Sequence, residues 1–244
     1  GCRRIKRLAY FSKRILSFIF LFLEKSKKGT KILDMNITYD EINKLDKVKR
    51  LKLINSITGV KSANLIGTKS NDGITNLAIF SSVVHLGSKP PLLGFITRTS
   101  KKVKRNTLEN IISTKKYTIN QIQKEFIKKA HYTSAKFSEN ESEFKMCKLN
   151  EEYINNFFSP YVKESNLKIG MSLKEIIPIK SNGSTIVIGE IQEIITKSKF
   201  LKDDFMFDLE NAGTIAIGGL NEYFEIKNIA HYPYVRMSEF PSFD

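Results

Sequence analysis

A chain of 244 residues with 41% hydrophobic and 27% charged residues has the make-up of an ordinary globular protein, enough for one well-cored domain and an appendage. Its net charge of +15 invites a nucleic-acid partner, but residues 1–34 carry ten Lys/Arg against two acids, so +8 sits there and only +7 on the other 210 residues; no specific nucleic acid is expected. The two cysteines, Cys2 and Cys147, form no C-x-x-C and no paired Cys/His spacing, which argues against a disulfide framework and a structural zinc, and points to a reducing, cytoplasmic compartment.

The first 34 residues differ from the rest. A basic stretch, Arg3–Arg14, precedes the apolar run Ile15–Leu23, whose nine residues fall short of the roughly 20 that span a bilayer. No small-residue cleavage site follows it. We read residues 1–34 as a basic, apolar extension upstream of a domain over 35–244, either foreign to the native protein or a weak interfacial anchor. Membrane contact is expected only through it.

In the body, Tyr39–Ile57 places Ile42, Leu45, Val48, Leu51 and Ile54 three residues apart, which predicts an amphipathic helix with its N-cap near Asp40 and its end at Gly59. From Ser62 the period changes. Ala63–Thr68 reads as a strand, Ser70-Asn71-Asp72-Gly73 as a hairpin turn, and Ile74–Ser82 as the return strand. Lys89-Pro90-Pro91 breaks the chain before a third strand, Leu92–Thr97. Asn106–Ser113 follows as a short helix capped by Asn106, then Tyr117–Gln121 as a strand and Gln123–Ala130 as a helix. Phe144–Leu149 is expected as a strand. Leu173–Ile179 and Thr185–Ile195 form a further pair around Ser181-Asn182-Gly183, and their poor alternation suggests strands buried on both faces. Many strands, few helices and Gly-centred turns predict a mainly β fold, a closed barrel with peripheral helices.

No dinucleotide fingerprint, phosphate-binding P-loop, nucleophile elbow or zinc-protease helix occurs in the chain. Two segments carry candidate chemistry. Asn76–Ser82 is an apolar strand ending in small polar residues, where amides and hydroxyls can meet a flat polar heterocycle, or where a strand simply runs into a Ser-rich loop. Arg98–Thr107 (RTSKKVKRNT) joins a strand end to a helix start through a cationic, hydroxyl-rich loop. A helix N-terminus offers free N–H groups and the positive end of a dipole, so the segment suits a phosphate as well as it suits a solvated loop.

In order and spacing these pieces resemble one family. Ala63–Thr68, Asp72-Gly73, Asn76-Leu77-Ala78, Phe80-Ser81-Ser82, Pro90-Pro91-Leu92, Arg98, Asn106–Ile111 and Tyr117–Asn120 together are similar to the flavin-reductase-like, FMN-binding split-barrel proteins. Asn106 stands where the family carries an acid, and Ile79 where it often carries Pro. The resemblance implies a Greek-key split β-barrel and an FMN-dependent oxidoreductase in which NAD(P)H reduces the flavin; an FMN-binding electron carrier is the alternative. It places Asn76, Ala78, Ser81 and Ser82 along the isoalloxazine and ribityl chain. Arg98, Thr99, Ser100, Arg105, Asn106 and Thr107 would take the phosphate. His131, Ser134, Ala135 and Lys136 would approach the flavin or the nicotinamide. It also implies a homodimer with the flavin near the subunit interface. On the residues alone, His85 and His231 read as structural, and His131 is as suited to a helix C-terminus as to a ligand.

Overall fold

The computed structural model describes residues 35–98, 106–138 and 140–243. They fall into two compact units that divide between Asp46 and Lys47. In the first, α1 (Tyr39–Lys44) is capped by Thr38 rather than near Asp40: the Thr38 hydroxyl accepts from the Glu41 N–H, and the Glu41 carboxylate accepts from the Thr38 N–H in return. The expected continuous helix is broken, because Leu45 takes an extended conformation (ψ 143°) and a second helix, α2 (Lys47–Ser56), starts two residues later. Neither helix buries a residue, so the threefold spacing of apolar side chains here does not mark a core-facing stripe.

The second unit is built on β-structure, as expected. A seven-stranded antiparallel sheet runs in the order β3-β2-β6-β9-β10-β5-β4, with β2 Asn64–Lys69, β3 Thr75–Phe80, β4 Val84–Ser88, β5 Pro91–Arg98, β6 Lys116–Gln121, β9 Leu167–Ile179 and β10 Ser184–Thr196. A three-stranded sheet, β1-β11-β12, uses Val60–Ser62, Ile215–Gly218 and Glu222–Glu225, and β7 (Glu151–Glu152) pairs with β8 (Tyr161–Val162). The β2–β3 hairpin turns as the sequence demands. The Ser70 hydroxyl and carbonyl accept from Ile74 and Gly73 N–H, and Gly73 supplies φ +88°.

Three elements depart from expectation. Phe144–Leu149 is not a strand. Its first residues belong to the short helix α5 (Glu143–Met146), which turns so that Phe144 enters the core and Glu143 reaches back to β3. Strand β9 starts six residues before the expected Leu173, whereas β10 exceeds the expected Thr185–Ile195 by one residue at each end and is buried mainly in its first half. Strand β4 precedes the Pro-Pro turn and pairs with β5 through a bulge between His85 and Gly87.

Two apolar clusters fill the unit. One lies inside the curled sheet, where Ile66, Phe95, Tyr117, Ile119, Met171 and Val187 meet Leu108 and Ile111 of α3 (Asn106–Thr114). The other packs Leu65, Leu77, Phe126, Ala130, Phe144 and Ile215 under α5 and α4 (Ile127–Tyr132). Among the described residues, no helix is long and apolar enough to cross a membrane.

Candidate functional site

Strand β3 is an edge of the large sheet, and its two faces diverge because side chains alternate with period two. Leu77 and Ile79 join the cluster shared with α4. Asn76, Ala78 and Phe80 face the other way, and Phe80 meets Phe95 edge to face at 5.0 Å inside the sheet. Asn76 is 6% exposed, and its Nδ2 donates to the Thr107 hydroxyl at 2.9 Å. Asn110, 8% exposed, donates from Nδ2 to the Thr68 hydroxyl at 3.1 Å. These bonds clamp the N-terminal half of α3 onto β2 and β3, so the structure brings Asn76 and Thr107 together. Neither Asn Oδ1 accepts from a described residue.

The free edge of β3 is heavily used. The Leu77 N–H donates to Glu143 Oε2 at 2.9 Å, and the Thr75 hydroxyl donates to Glu151 Oε1 at 2.6 Å and lies 2.7 Å from the Ser142 hydroxyl. Burial pushes the Glu143 carboxyl above its ordinary 4.5, opposed by the Leu77 N–H. Because Leu77 points its N–H outward, the alternation of an antiparallel ladder turns those of Asn76 and Ala78 toward β2. A ligand therefore meets these two residues through side chain and surface, not through main-chain donors.

Ser81 and Ser82 are half-buried beyond the end of β3. Ser81 enters no described side-chain hydrogen bond. The Ser82 hydroxyl accepts from the Ile96 N–H at 3.0 Å and donates to the Ile96 carbonyl at 3.1 Å, so it ties the β3–β4 connection to β5. Arg98 ends β5 opposite Ser184 and is exposed. Thr99, Ser100 and Arg105 lie outside the described residues. Asn106, expected as a cap, is the first residue of α3, with Thr107 buried behind it. The first N–H groups of this nine-residue helix have no acceptor within it, and they sit at the positive end of its dipole.

The third expected group, His131, Ser134, Ala135 and Lys136, lies on the opposite face of β3. Helix α4 packs there, and His131 Nδ1 is 2.9 Å from the hydroxyl of Tyr223 on β12, with the rings edge to face at 5.8 Å. Burial pushes the Tyr223 phenol up to about 12. Ser134 donates to the His131 carbonyl at 2.7 Å, and Ser134, Ala135 and Lys136 are exposed. His131 thus has a described partner on β12, and nothing described joins this group to Asn76 or Thr107.

The sequence reading passed over Thr75, Asn110 and Glu143. Asn110 had a signal, since it follows Thr107 by three residues and so shares its helix face. Glu143 had none, being 66 residues from Leu77. Also unanticipated is a cleft of about 220 Å³ between the β2–β3 turn and the start of α3, lined by Ser70, Asp72, Thr75, Asn76, Glu109 and Asn110 among others. Among the described residues, no group of three or more His, Cys, Asp or Glu is placed to hold a metal ion.

A phosphate-bearing flavin fits what is described. A helix N-terminus and Arg98 flank a cationic loop, and beside them lie half-buried Ala78 and Ser81 and the buried Asn76–Thr107 pair. Comparison with known proteins defines the class. The flavin reductase-like domain model matches residues 60–210, and the chain belongs to that family of flavin-related oxidoreductases. A flavin-reductase-like split-barrel protein of Shewanella frigidimarina is 42% identical with a TM-score of 0.79, covering 83% of this chain and all of its own. Nitrilotriacetate monooxygenase component B of Bacillus cereus shares the fold at 18% identity and a TM-score of 0.72, covering 83% of this chain and all of its own. An uncharacterized protein of Aquifex aeolicus is 24% identical over 69% of this chain and 86% of its own. The mainly β sheet of the second unit is the split barrel of this family.

Proposed function

We propose that the protein binds FMN non-covalently and accepts hydride on it from NAD(P)H, as a flavin reductase. The observation that carries this reading is the clamp of α3 onto β3 through Asn76 and Thr107. It fixes a helix N-terminus at the far end of the basic loop that starts at Arg98. Bound FMN supplies the hydride-accepting ring. The chain supplies the hold on it. The first-turn N–H groups of α3 and Arg98 take the phosphate, and the loop residues Thr99, Ser100 and Arg105 add hydroxyl and guanidinium donors. Ala78 and Ser81 offer a half-buried wall for the ring. The working form in this reading is a homodimer, in which the His131–Lys136 segment, on the other face of β3, would approach the flavin of the second copy.

The test is the absorbance spectrum of the purified protein after addition of FMN, followed by anaerobic addition of NADH and then NADPH. Bound-flavin bands that bleach with either nicotinamide support the reading. Bands that persist with both leave an FMN-binding electron carrier. A protein that takes up no FMN overturns it.

A further inference from the structure

We propose that residues 226–243 form an arm that lies across a second copy of this chain, on the outer face of its strands β9, β10, β5 and β4. This assignment rests on the homodimeric working form and not on the flavin.

The arm follows β12 and enters no sheet. Pro233 and Pro241 lack the N–H that a strand ladder needs. The Asn228 N–H donates to the Glu210 carboxylate at 3.0 Å, and beyond it no described hydrogen bond joins the arm to the sheets. Yet the arm is rich in large apolar side chains. Ile229, Tyr232, Tyr234, Met237 and Phe243 are 80–92% exposed, and Phe240 meets Phe243 edge to face at 5.7 Å. Lys227 and Arg236 stand against one acid, Glu239, so the arm lacks the dense cationic face that a lipid surface or a nucleic acid selects. An aromatic ring hides roughly 150–250 Å² when buried, so the rings of Tyr232, Tyr234, Phe240 and Phe243 alone supply on the order of 600 Å², close to the roughly 800 Å² per partner of a stable interface.

The landing face is set by strand register. Directly opposed residues of an antiparallel pair share a face of the sheet. Ile96, Ile186 and Ile177 therefore stand in one row across β5, β10 and β9, and Val84, Gly94 and Ile188 in the next row across β4, β5 and β10. Phe95, Val187 and Ile176 point the other way, into the cluster within the curled sheet, so both rows face outward. Leu86 leans over Gly94, where an added Cβ would lie 2.8 Å from its Cδ1, and joins the same face. Val84, Leu86, Ile96 and Ile177 are 42–52% exposed. One chain thus leaves an apolar arm and an apolar sheet face both in water. A two-fold pair of copies covers both at once, because each copy offers one of each. Reach is sufficient: eighteen extended residues span up to about 60 Å, whereas four strands side by side are about 15 Å across.

The test is sedimentation velocity of the full chain as wild type, as the arm variant Tyr232→Ser/Tyr234→Ser/Phe240→Ser and as the face variant Leu86→Lys/Ile177→Lys, with FMN titration of each. All five positions are exposed. The wild type is expected as a dimer, and each variant should weaken dimerisation about tenfold or more. In a Cys2→Ser background, bis-maleimide treatment of a mixture of Tyr234→Cys chains and Ile177→Cys chains should link one of each. The assignment is overturned if the wild type is monomeric, if both variants stay dimeric, or if the mixture yields no mixed link. It is also overturned if the Tyr234→Cys/Ile177→Cys chain links within a single copy, which puts the arm on its own sheet. A monomer that sediments with phosphatidylcholine vesicles would give the arm to a membrane instead. The flavin reading fails separately: a dimer that takes up no FMN refutes that reading and leaves the arm in place, and a monomer that binds FMN does the reverse.

Discussion

The interior of the curled sheet and the free edge of β3 treat their polar atoms in opposite ways. Inside the sheet, Tyr117 is fully buried and its hydroxyl has no partner among the described residues; burial drives its phenol well above its ordinary value. That hydroxyl lies where a Cβ on Gly189 would stand. At the β3 edge, Thr75, Leu77 and Asn76 are also buried, yet the Thr75 hydroxyl, the Leu77 N–H and the Asn76 Nδ2 each have a partner, in Glu151 and Ser142, Glu143, and Thr107 respectively. The interior tolerates an orphan hydroxyl because the ring's volume is what it needs, whereas the edge is specified by hydrogen bonds. Volume changes should therefore hurt the first region and partner changes the second.

The largest effect is expected at Gly189. An alanine there collides with the Tyr117 hydroxyl in a region that cannot give way, and should cost about 3 kcal/mol in denaturant unfolding. The double variant Gly189→Ala/Tyr117→Phe should recover only part of that loss, because the ring Cζ at 2.9 Å and the Ser172 carbonyl at 3.1 Å still crowd the added methyl. Next comes Glu143→Ala, which strands the buried Leu77 N–H and should cost about 2 kcal/mol. Glu143→Gln keeps an acceptor for that N–H and separates charge from hydrogen bonding. A carboxyl whose folded pKa lies above its ordinary 4.5 contributes stability that is present below that value and is lost as pH rises through the folded value. The wild type should therefore lose stability relative to Glu143→Gln as the pH rises above about 4.5. Equal pH profiles would show that the charge plays no part.

A smaller effect is expected for Thr107→Val, which removes the acceptor of Asn76 Nδ2 and should cost about 1 kcal/mol. On the proposed function it also weakens FMN binding, read by flavin titration. The smallest belongs to Tyr117→Phe alone, which deletes an unpartnered hydroxyl and should leave stability unchanged or slightly raised. A substantial loss there would break the contrast between the two regions.

What the sequence disclosed followed the same division. Short-range grammar was legible: the Asp72-Gly73 turn, the start of α3 near Asn106, and β6. These depend on residues a few positions apart. Strands β4, β11 and β12 escaped notice because pairing, not alternation, defines them; β4 exposes most of its side chains and is held by β5 across a bulge. Helix α5 was misread as a strand because Phe144 and Leu149 are apolar either way, and its fixing contact spans 66 residues. At the candidate site, the pairing of Asn76 with Thr107 joins two segments that sequence analysis had singled out separately. The cleft stayed hidden because its lining comes from the β2–β3 turn and from α3, which only the fold sets side by side.

Ser82 carries a consequence for how copies of the protein behave toward one another. Pairing of β4 with β5 begins at Val84 and Gly94, so β5 beyond Gly94 would present an open edge on that side. A single hydroxyl fills that edge at Ile96, accepting from its N–H and donating to its carbonyl as a paired strand would. An exposed strand edge is a template for intermolecular pairing, and here its most accessible main-chain groups are already occupied. Replacing Ser82 by alanine would uncover a short sticky segment beside the exposed Ile96 side chain, and its first symptom would be self-association at high concentration rather than a change in the bound ligand.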